Sequence, residues 1–438
     1  MTLTTPITVV RGRFLDIQKT VSQAKDIIDQ VRYIEDGVLI AEQGKIRWFG
    51  SWDDAQAYLP ANVEIQHYPE QLIIPGMIDT HIHFPQTEMV GAYGEQLLSW
   101  LNTYTFPTEI QFKDKAYAQG IAKFFVQELL KNGTTTALVF CTVHPESVDA
   151  LFEAAAQQQM RLIAGKVMMD RHAPEALCDT AESAYDDSKA LIEKWHGQGR
   201  ALYAITPRFA PTSTPEQLER AGQLKAEFPD VYIHTHLSEN KDEIAWVKDL
   251  FPEQKGYLDV YHHYGLTGNR SVFAHCVHLE DQEWQCMHDT DSAIAFCPTS
   301  NLFLGSGLFP LKKTWQQQVK VGLGTDIGAG TSFSLLQTVN EAYKVQQLQG
   351  DKLSAFESLY HATLGGAKAL DLDDKLGNFN VGKEADFVVL NLKPTALQQL
   401  RQSRSKSIED SLFALFTMGD DRNIEATYIY GQKAYSQN

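Results

Sequence analysis

Nothing in this sequence pairs its cysteines. Five occur, Cys141, Cys178, Cys276, Cys286 and Cys297, widely spaced and with no CxxC among them. An odd, scattered set argues against a disulfide framework or a thiolate zinc knuckle and suits a reducing compartment. Long apolar runs are missing too, and none approaches the ~20 residues that a bilayer-spanning helix needs. Positive charge is scarce: 38 Lys and Arg stand against 55 Asp and Glu, a formal net charge of -17. So acidic a surface repels phosphate backbones and anionic lipid, so no nucleic acid and no membrane partner is expected, while a small neutral substrate is compatible. Residues 1–10 carry no basic stretch followed by an apolar core, so no secretory leader is expected and the expected location is cytoplasmic. The chain shows no internal repeat and no low-complexity segment.

What is present is a β-α-β texture. With 438 residues, the chain exceeds one ordinary core. Short β-rich runs occupy 7–17 and 33–50, with Glu42-Gln43-Gly44 as a turn. From about residue 76, eight apolar runs follow, at 77–84, 134–143, 161–170, 201–210, 231–239, 271–279, 293–300 and 321–328. Helical patterns separate them. One spans 117–133 with Gly133 as its terminator, and another opens at Thr214-Pro215, with Thr214 as N-cap and Pro215 at the first helical position. Eight strands alternating with helices predict a parallel α/β fold, and eight is the number that closes a (β/α)8 TIM-like barrel; a doubly wound open sheet gives the same pattern. After residue 380 the texture returns to β, at 385–392 and 426–435. The expected organisation is therefore a barrel at 76–379 inserted into a small β-sandwich-like domain made of 1–75 plus 380–438.

The chemistry concentrates at the ends of the apolar runs. In Asp79-Thr80-His81-Ile82-His83, strand alternation turns His81 and His83 to the same side, where two neutral imidazoles suit a divalent ion. His234 and His236 lie on the fifth run, followed by Glu239; His275 lies on the sixth and Asp326 on the eighth. Taken singly, His275 reads as a hydrogen-bonded core histidine, Asp326 as a helix cap and Glu239 as a solvated carboxylate. In a parallel barrel all these strand ends meet at one mouth, where residues far apart in sequence converge.

These residues resemble the metal site of the amidohydrolase superfamily. Pro75-Gly76-Met77-Ile78-Asp79-Thr80-His81 is similar to that family's opening signature, and Gly377-Asn378-Phe379-Asn380-Val381-Gly382-Lys383-Glu384-Ala385-Asp386 to its late motif, with Phe379 where an aliphatic residue is more usual. The resemblance implies His81, His83, His236 and Asp326 as metal ligands, His236 being chosen over His234 because His-Leu-Ser-Glu in the family's deaminases places the ligand three residues before the glutamate. Binuclear members carry a bridging carboxylated lysine at the end of the fourth strand. Here that position reads Thr206-Pro207-Arg208, which implies one divalent ion per subunit, with zinc first and iron accepted by the same donors.

The segment Phe84-Pro85-Gln86-Thr87-Glu88-Met89, the following Gly91-Ala92-Tyr93-Gly94 and Leu97-Leu98-Ser99-Trp100-Leu101, and Arg208-Phe209 resemble the branch of the superfamily that deaminates free guanine. That resemblance implies a purine-base substrate contacted by His83, Phe84, Pro85, Gln86, Arg208, Phe209, His236, Glu239 and Asp326, and a homodimer. It implies attack of an activated water at C2 and release of ammonia to give xanthine. Glu239 would carry a proton to N3, Asp326 would accept the water proton, and His275 would orient the attacking oxygen. Alternatives are a relative acting on adenine, cytosine or a triazine-like ring, and a barrel that has lost its chemistry. The HxE triplets His144-Pro145-Glu146 and His278-Leu279-Glu280 lack the PCxxC that accompanies them in polynucleotide deaminases. The glycines of 322–328 are misplaced for a dinucleotide fingerprint.

Overall fold

The structure, a computed structural model, describes residues 7–93 and 97–437; Gly94, quoted above, lies outside the described residues. All eight apolar runs are strands: Met77–His83, Thr134–Phe140, Arg161–Gly165, Leu202–Pro207, Tyr232–Leu237, Ser271–His275, Ala293–Phe296 and Lys320–Leu323. They pair in sequence order, every pair parallel. Nearly every residue in them is buried, as expected of strands covered on one side by helices and filled on the other by side chains. The eighth strand returns to the first through Thr80 Oγ1, which donates to the Leu323 carbonyl at 3.0 Å, and Asp326 N–H, which donates to the His81 carbonyl at 2.9 Å. The outcome is a near-closed TIM-like barrel.

Local sequence sets the helix ends. Thr214 accepts from the Gln217 N–H and Pro215 opens the helix Pro215–Glu227. The helix expected at 117–133 starts a little earlier, at Lys115, because Asp114 caps it by accepting from Ala116 and Tyr117 N–H. It ends at Lys131, and Gly133 takes φ 76° just beyond. Residues 84–93 and 97–113 form only short helical turns, including a π turn at Leu101–Thr105, and contribute Gln86, Leu97, Trp100 and Leu101 to the cavity at the barrel mouth.

A second sheet is built from both chain ends. Its seven strands run in the order Gln432–Ser436, Ile424–Ile429, Phe387–Leu390, Ile65–Pro75, Ile7–Ile17, Val31–Glu42 and Lys45–Ser51. Ile65–Pro75 is the seam between the two chain ends: it pairs parallel with Ile7–Ile17 and antiparallel with Phe387–Leu390. The turn at Gln43-Gly44 takes positive φ at both residues, 54° and 77°, and a Cβ on Gly44 would overlap the Tyr430 ring. Phe379 packs edge-on against Phe14 at 5.4 Å and beside Phe49 at 5.0 Å, so the departure noted in the late motif is absorbed by an aromatic cluster. The same motif clasps the sheet to the barrel. Glu384 accepts from Arg161 at 2.5 Å and Arg200 at 2.6 Å, Asp386 accepts from Arg200, and the Asp386 carbonyl accepts from the Gly76 N–H, next to the first barrel strand.

Candidate active site

The barrel places its histidines as alternation demands. His81 and His83 share the inner side of the first strand, while Ile82 between them enters the outer core. His236 and His275 come from the fifth and sixth strands and Asp326 follows the eighth. Four residues at these strand ends adopt left-handed backbone: Ser238 at φ 50°, His275 at φ 72°, Cys276 at φ 52° and Asp326 at φ 51°. Such strain at non-glycine residues persists only where the surroundings enforce it, and it gathers here around the converging side chains.

Nε2 of His81 lies 3.1 Å from Asp326 Oδ1, Nε2 of His83 lies 3.2 Å from the same oxygen, and Nε2 of His83 lies 3.2 Å from Nε2 of His236. Donors around a tetrahedral ion with bonds of about 2.0–2.1 Å stand roughly 3.3 Å apart, so these spacings fit one small divalent ion. Nε2 of His81 is buried and, among the described residues, makes no hydrogen bond of good geometry despite its closeness to Asp326, as a nitrogen kept for a metal should. His275 approaches as well: its Nε2 is 3.8 Å from Asp326 and 3.5 Å from Glu239, and His81, His275 and Asp326 form a second cluster with ligand spacing.

The far nitrogens of the rings are tied down. The Arg208 carbonyl accepts from Nδ1 of His236 at 2.7 Å, and Asn301 Oδ1 accepts from Nδ1 of His275 at 2.9 Å. Each bond puts the proton on Nδ1 and leaves the Nε2 lone pair facing the cluster. Nδ1 of His81 meets Nε2 of His234 at 2.8 Å, so His234 points at a site residue rather than at the cluster itself. Burial pushes His81 down, His83 down to about 3 and His236 well down, all toward the neutral form. For Asp326, burial works upward, but the adjacent His81 and His83 outweigh it and hold the carboxyl well below its usual range. Neutral imidazoles and an ionised carboxylate are the protonation states that metal ligation requires.

Beside the cluster, burial and the charge of Asp326 push the Glu239 carboxyl up to about 8, against the relief of a 3.0 Å hydrogen bond from Ser306 Oγ. Glu243 receives the Glu239 and Asn240 N–H groups and the Tyr257 hydroxyl, which fixes the backbone from which Glu239 projects. Asp79, one alternation step before His81, accepts from the His81 N–H, the Thr325 N–H and the Thr325 hydroxyl. It stitches the first strand to the loop that carries Asp326. Burial nevertheless raises its carboxyl to about 7.

The cluster floors a cavity that opens to solvent at its mouth. Its polar walls include Gln86, Arg208, Glu239 and Glu243, and its apolar walls Leu97, Trp100, Phe209 and Leu304. Of the residues expected to touch substrate, His83, Gln86, Arg208, Phe209, His236, Glu239 and Asp326 line the cavity. Phe84 and Pro85, expected with them, are not in its lining. Both are buried away from it, and the Phe84 ring packs on Phe112 at 4.9 Å and Phe125 at 5.7 Å. One residue past His83, alternation turns Phe84 to the opposite side. The sequence reading gave no role to Asp79, Glu109, Glu243, Asn301 or Ser306. Only Asp79 carried a signal, by sharing the alternation of His81 and His83.

The sequence matches the amidohydrolase family over residues 72–434. It is 62% identical to guanine deaminase of Escherichia coli (strain K12) over 429 residues, 98% of each chain. The fold is similar to the solved structure of E. coli guanine deaminase, with a TM-score of 0.96 and 60% identity over 99% of this chain and 100% of that one. It is also similar to guanine deaminase from C. acetobutylicum with bound guanine in the active site, with a TM-score of 0.88 and 31% identity over 98% of this chain and 100% of that one. The chain belongs to the amidohydrolase family.

Proposed function

We propose that this chain hydrolyses guanine to xanthine and ammonia. The observation that carries the reading is the placement of Glu239. It is a carboxyl held up to about 8, on the wall of the cavity that also holds Gln86, Arg208 and Phe209, 3.5 Å from His275 and beside the cluster of imidazoles and Asp326. The guanine deaminases to which the chain is similar over nearly its whole length support the choice of substrate.

His81, His83, His236 and Asp326 would hold one divalent ion, zinc or iron. When bound, such an ion acts as a Lewis acid and lowers the pKa of water at the site.

The remaining work falls to side chains. Glu239, protonated near neutral pH, donates to N3 of the purine as the water oxygen bonds to C2, so charge does not accumulate on the ring. Asp326 takes one proton from that water and later passes it to the departing amine. The proton left on the new C2 hydroxyl returns to Glu239 as the C2–N bond breaks and ammonia leaves, which restores both carboxyl groups. His275, its tautomer fixed by Asn301, orients the attacking oxygen and steadies it in the tetrahedral intermediate. Gln86 and Arg208 meet the polar edge of the ring, and Phe209 supplies an aromatic wall.

Purified protein mixed with guanine should yield xanthine and ammonia in equal amounts; no xanthine would overturn the reading. We further propose, from the family resemblance, a cytoplasmic homodimer whose catalytic barrel spans 76–379, with 1–75 plus 380–438 as the companion domain. Light scattering and limited proteolysis test the assembly and the boundaries.

A further inference from the structure

Gln86 and Arg208 share a partner that plays no part in the reaction steps above. Glu109 ends the short helix Phe106–Glu109 and is completely buried. Its Oε2 accepts from Nη1 of Arg208 at 2.7 Å, and its Oε1 accepts from Nε2 of Gln86 at 3.3 Å. The Arg208 guanidinium also lies over the Phe106 ring, 5.6 Å from its centre. A carboxylate that pairs with a guanidinium offers acceptors only, so the Gln86 atom turned toward it is the NH2. Which end of the amide faces the cavity is therefore decided by Glu109. Among the described residues, no group donates to Gln86 Oε1 and no acceptor meets Nε or Nη2 of Arg208. The Gln86 carbonyl is backed by Gly328, at φ 121°, where a Cβ would come within 1.9 Å of that oxygen.

We infer that Glu109 is a positioning residue that sets the hydrogen-bond polarity of the cavity. It occupies the Gln86 NH2 and one Arg208 N–H, and so leaves an acceptor and a donor for a lactam N–H/C=O edge. The inference rests on the guanine reading and deepens it. In guanine, N1–H would donate to Gln86 Oε1 and O6 would accept from Arg208. A 6-aminopurine offers the reverse: N1 faces the Gln86 carbonyl as a second acceptor, and the 6-amino group faces the guanidinium as a second donor. Buried polar groups left without complements are the usual source of strong substrate discrimination. On this account the 6-oxo preference is written into residue 109, which need not touch the substrate.

The test compares guanine with 2,6-diaminopurine, which carries the same 2-amino group beside a reversed edge. The wild-type chain should prefer guanine in kcat/KM by a factor on the order of 10³ or more. Glu109→Gln frees the amide to turn. Guanine KM should then rise about tenfold or more with kcat within about threefold, and the preference should fall by about 30-fold or more. Equal losses on both purines, or an unmoved preference, would overturn the inference and reduce Glu109 to a structural partner of Arg208. If circular dichroism shows Glu109→Gln unfolded, Gln86→Met with Glu109 intact reads the same quantity. Removing the acceptor should lower the preference about tenfold or more, and an unchanged preference overturns the inference. Wild-type turnover of neither purine would overturn the functional reading and this inference with it, whereas wild-type turnover of guanine with an unmoved preference in the variants would overturn this inference alone.

Discussion

Glu239→Gln separates the shape of the site from its proton chemistry. The amide matches the carboxyl in volume and can still accept from Ser306 Oγ, a bond of 3.0 Å in the native protein. It can neither give nor regain a proton at N3. Loss of a positioned general acid costs about 10²–10⁴-fold. At about 1.36 kcal/mol per decade this is roughly 2.7–5.4 kcal/mol of transition-state stabilisation, and it should fall on kcat with KM nearly unchanged. The assay is chromatographic separation of guanine and xanthine over a pH series. Native kcat/KM should decline as pH rises through about 8, where Glu239 loses its proton, and the residual activity of the variant should lack that limb. Stability gives a second, independent readout in metal-depleted protein. The folded pKa of about 8 lies above the ordinary 4.5, so between those values the native state holds a proton that the unfolded chain has released. Native stability therefore falls as pH rises across that window, by on the order of a few kcal/mol, and Glu239→Gln should not share the fall. A variant with kcat within about tenfold of native would refute the proton-carrying role.

Further outcomes follow from the partners of the site. His234→Ala removes the group that meets Nδ1 of His81, and metal affinity measured by competition with a chromophoric chelator should weaken about 10–100-fold; unchanged affinity would contradict the anchoring role. Asp79→Asn weakens the stitch between the first strand and the Asp326 loop, and should lower metal affinity by a similar factor of about 10–100 while leaving the secondary structure intact by circular dichroism. Arg200→Met leaves Asp386 buried without its cation, while Glu384 keeps Arg161, and denaturant titration should show a loss of about 3–5 kcal/mol; a loss below about 1 kcal/mol would mean the clasp is dispensable.

The strands of the barrel were legible because each is an apolar run bounded by turns, and this survives in sequence whatever the tertiary context. Closure was not legible. Eight alternating units fit an open sheet equally well, and what closes the ring is a pair of hydrogen bonds, Thr80 to Leu323 and Asp326 to His81, between residues some 240 positions apart. In the site, alternation brought out His81 and His83, but it puts His234 and His236 on the same side of one strand, and only the resemblance of His236-Leu237-Ser238-Glu239 to the family's deaminases favoured His236. The same alternation turns the Phe84 ring to the outer core, onto Phe112 and Phe125. Glu109 left no trace, since it lies among the short helical turns of 97–113, where neither period applies, and its meaning comes only from Gln86 and Arg208 being folded against it.

Metal content measured alongside guanine turnover probes the centre of the account most directly. Protein stripped by a chelator and reloaded with zinc in steps should regain turnover in proportion to bound metal and reach its maximum at one ion per chain. Full turnover from metal-free protein, or a plateau that requires two ions per chain, would contradict the four-donor site.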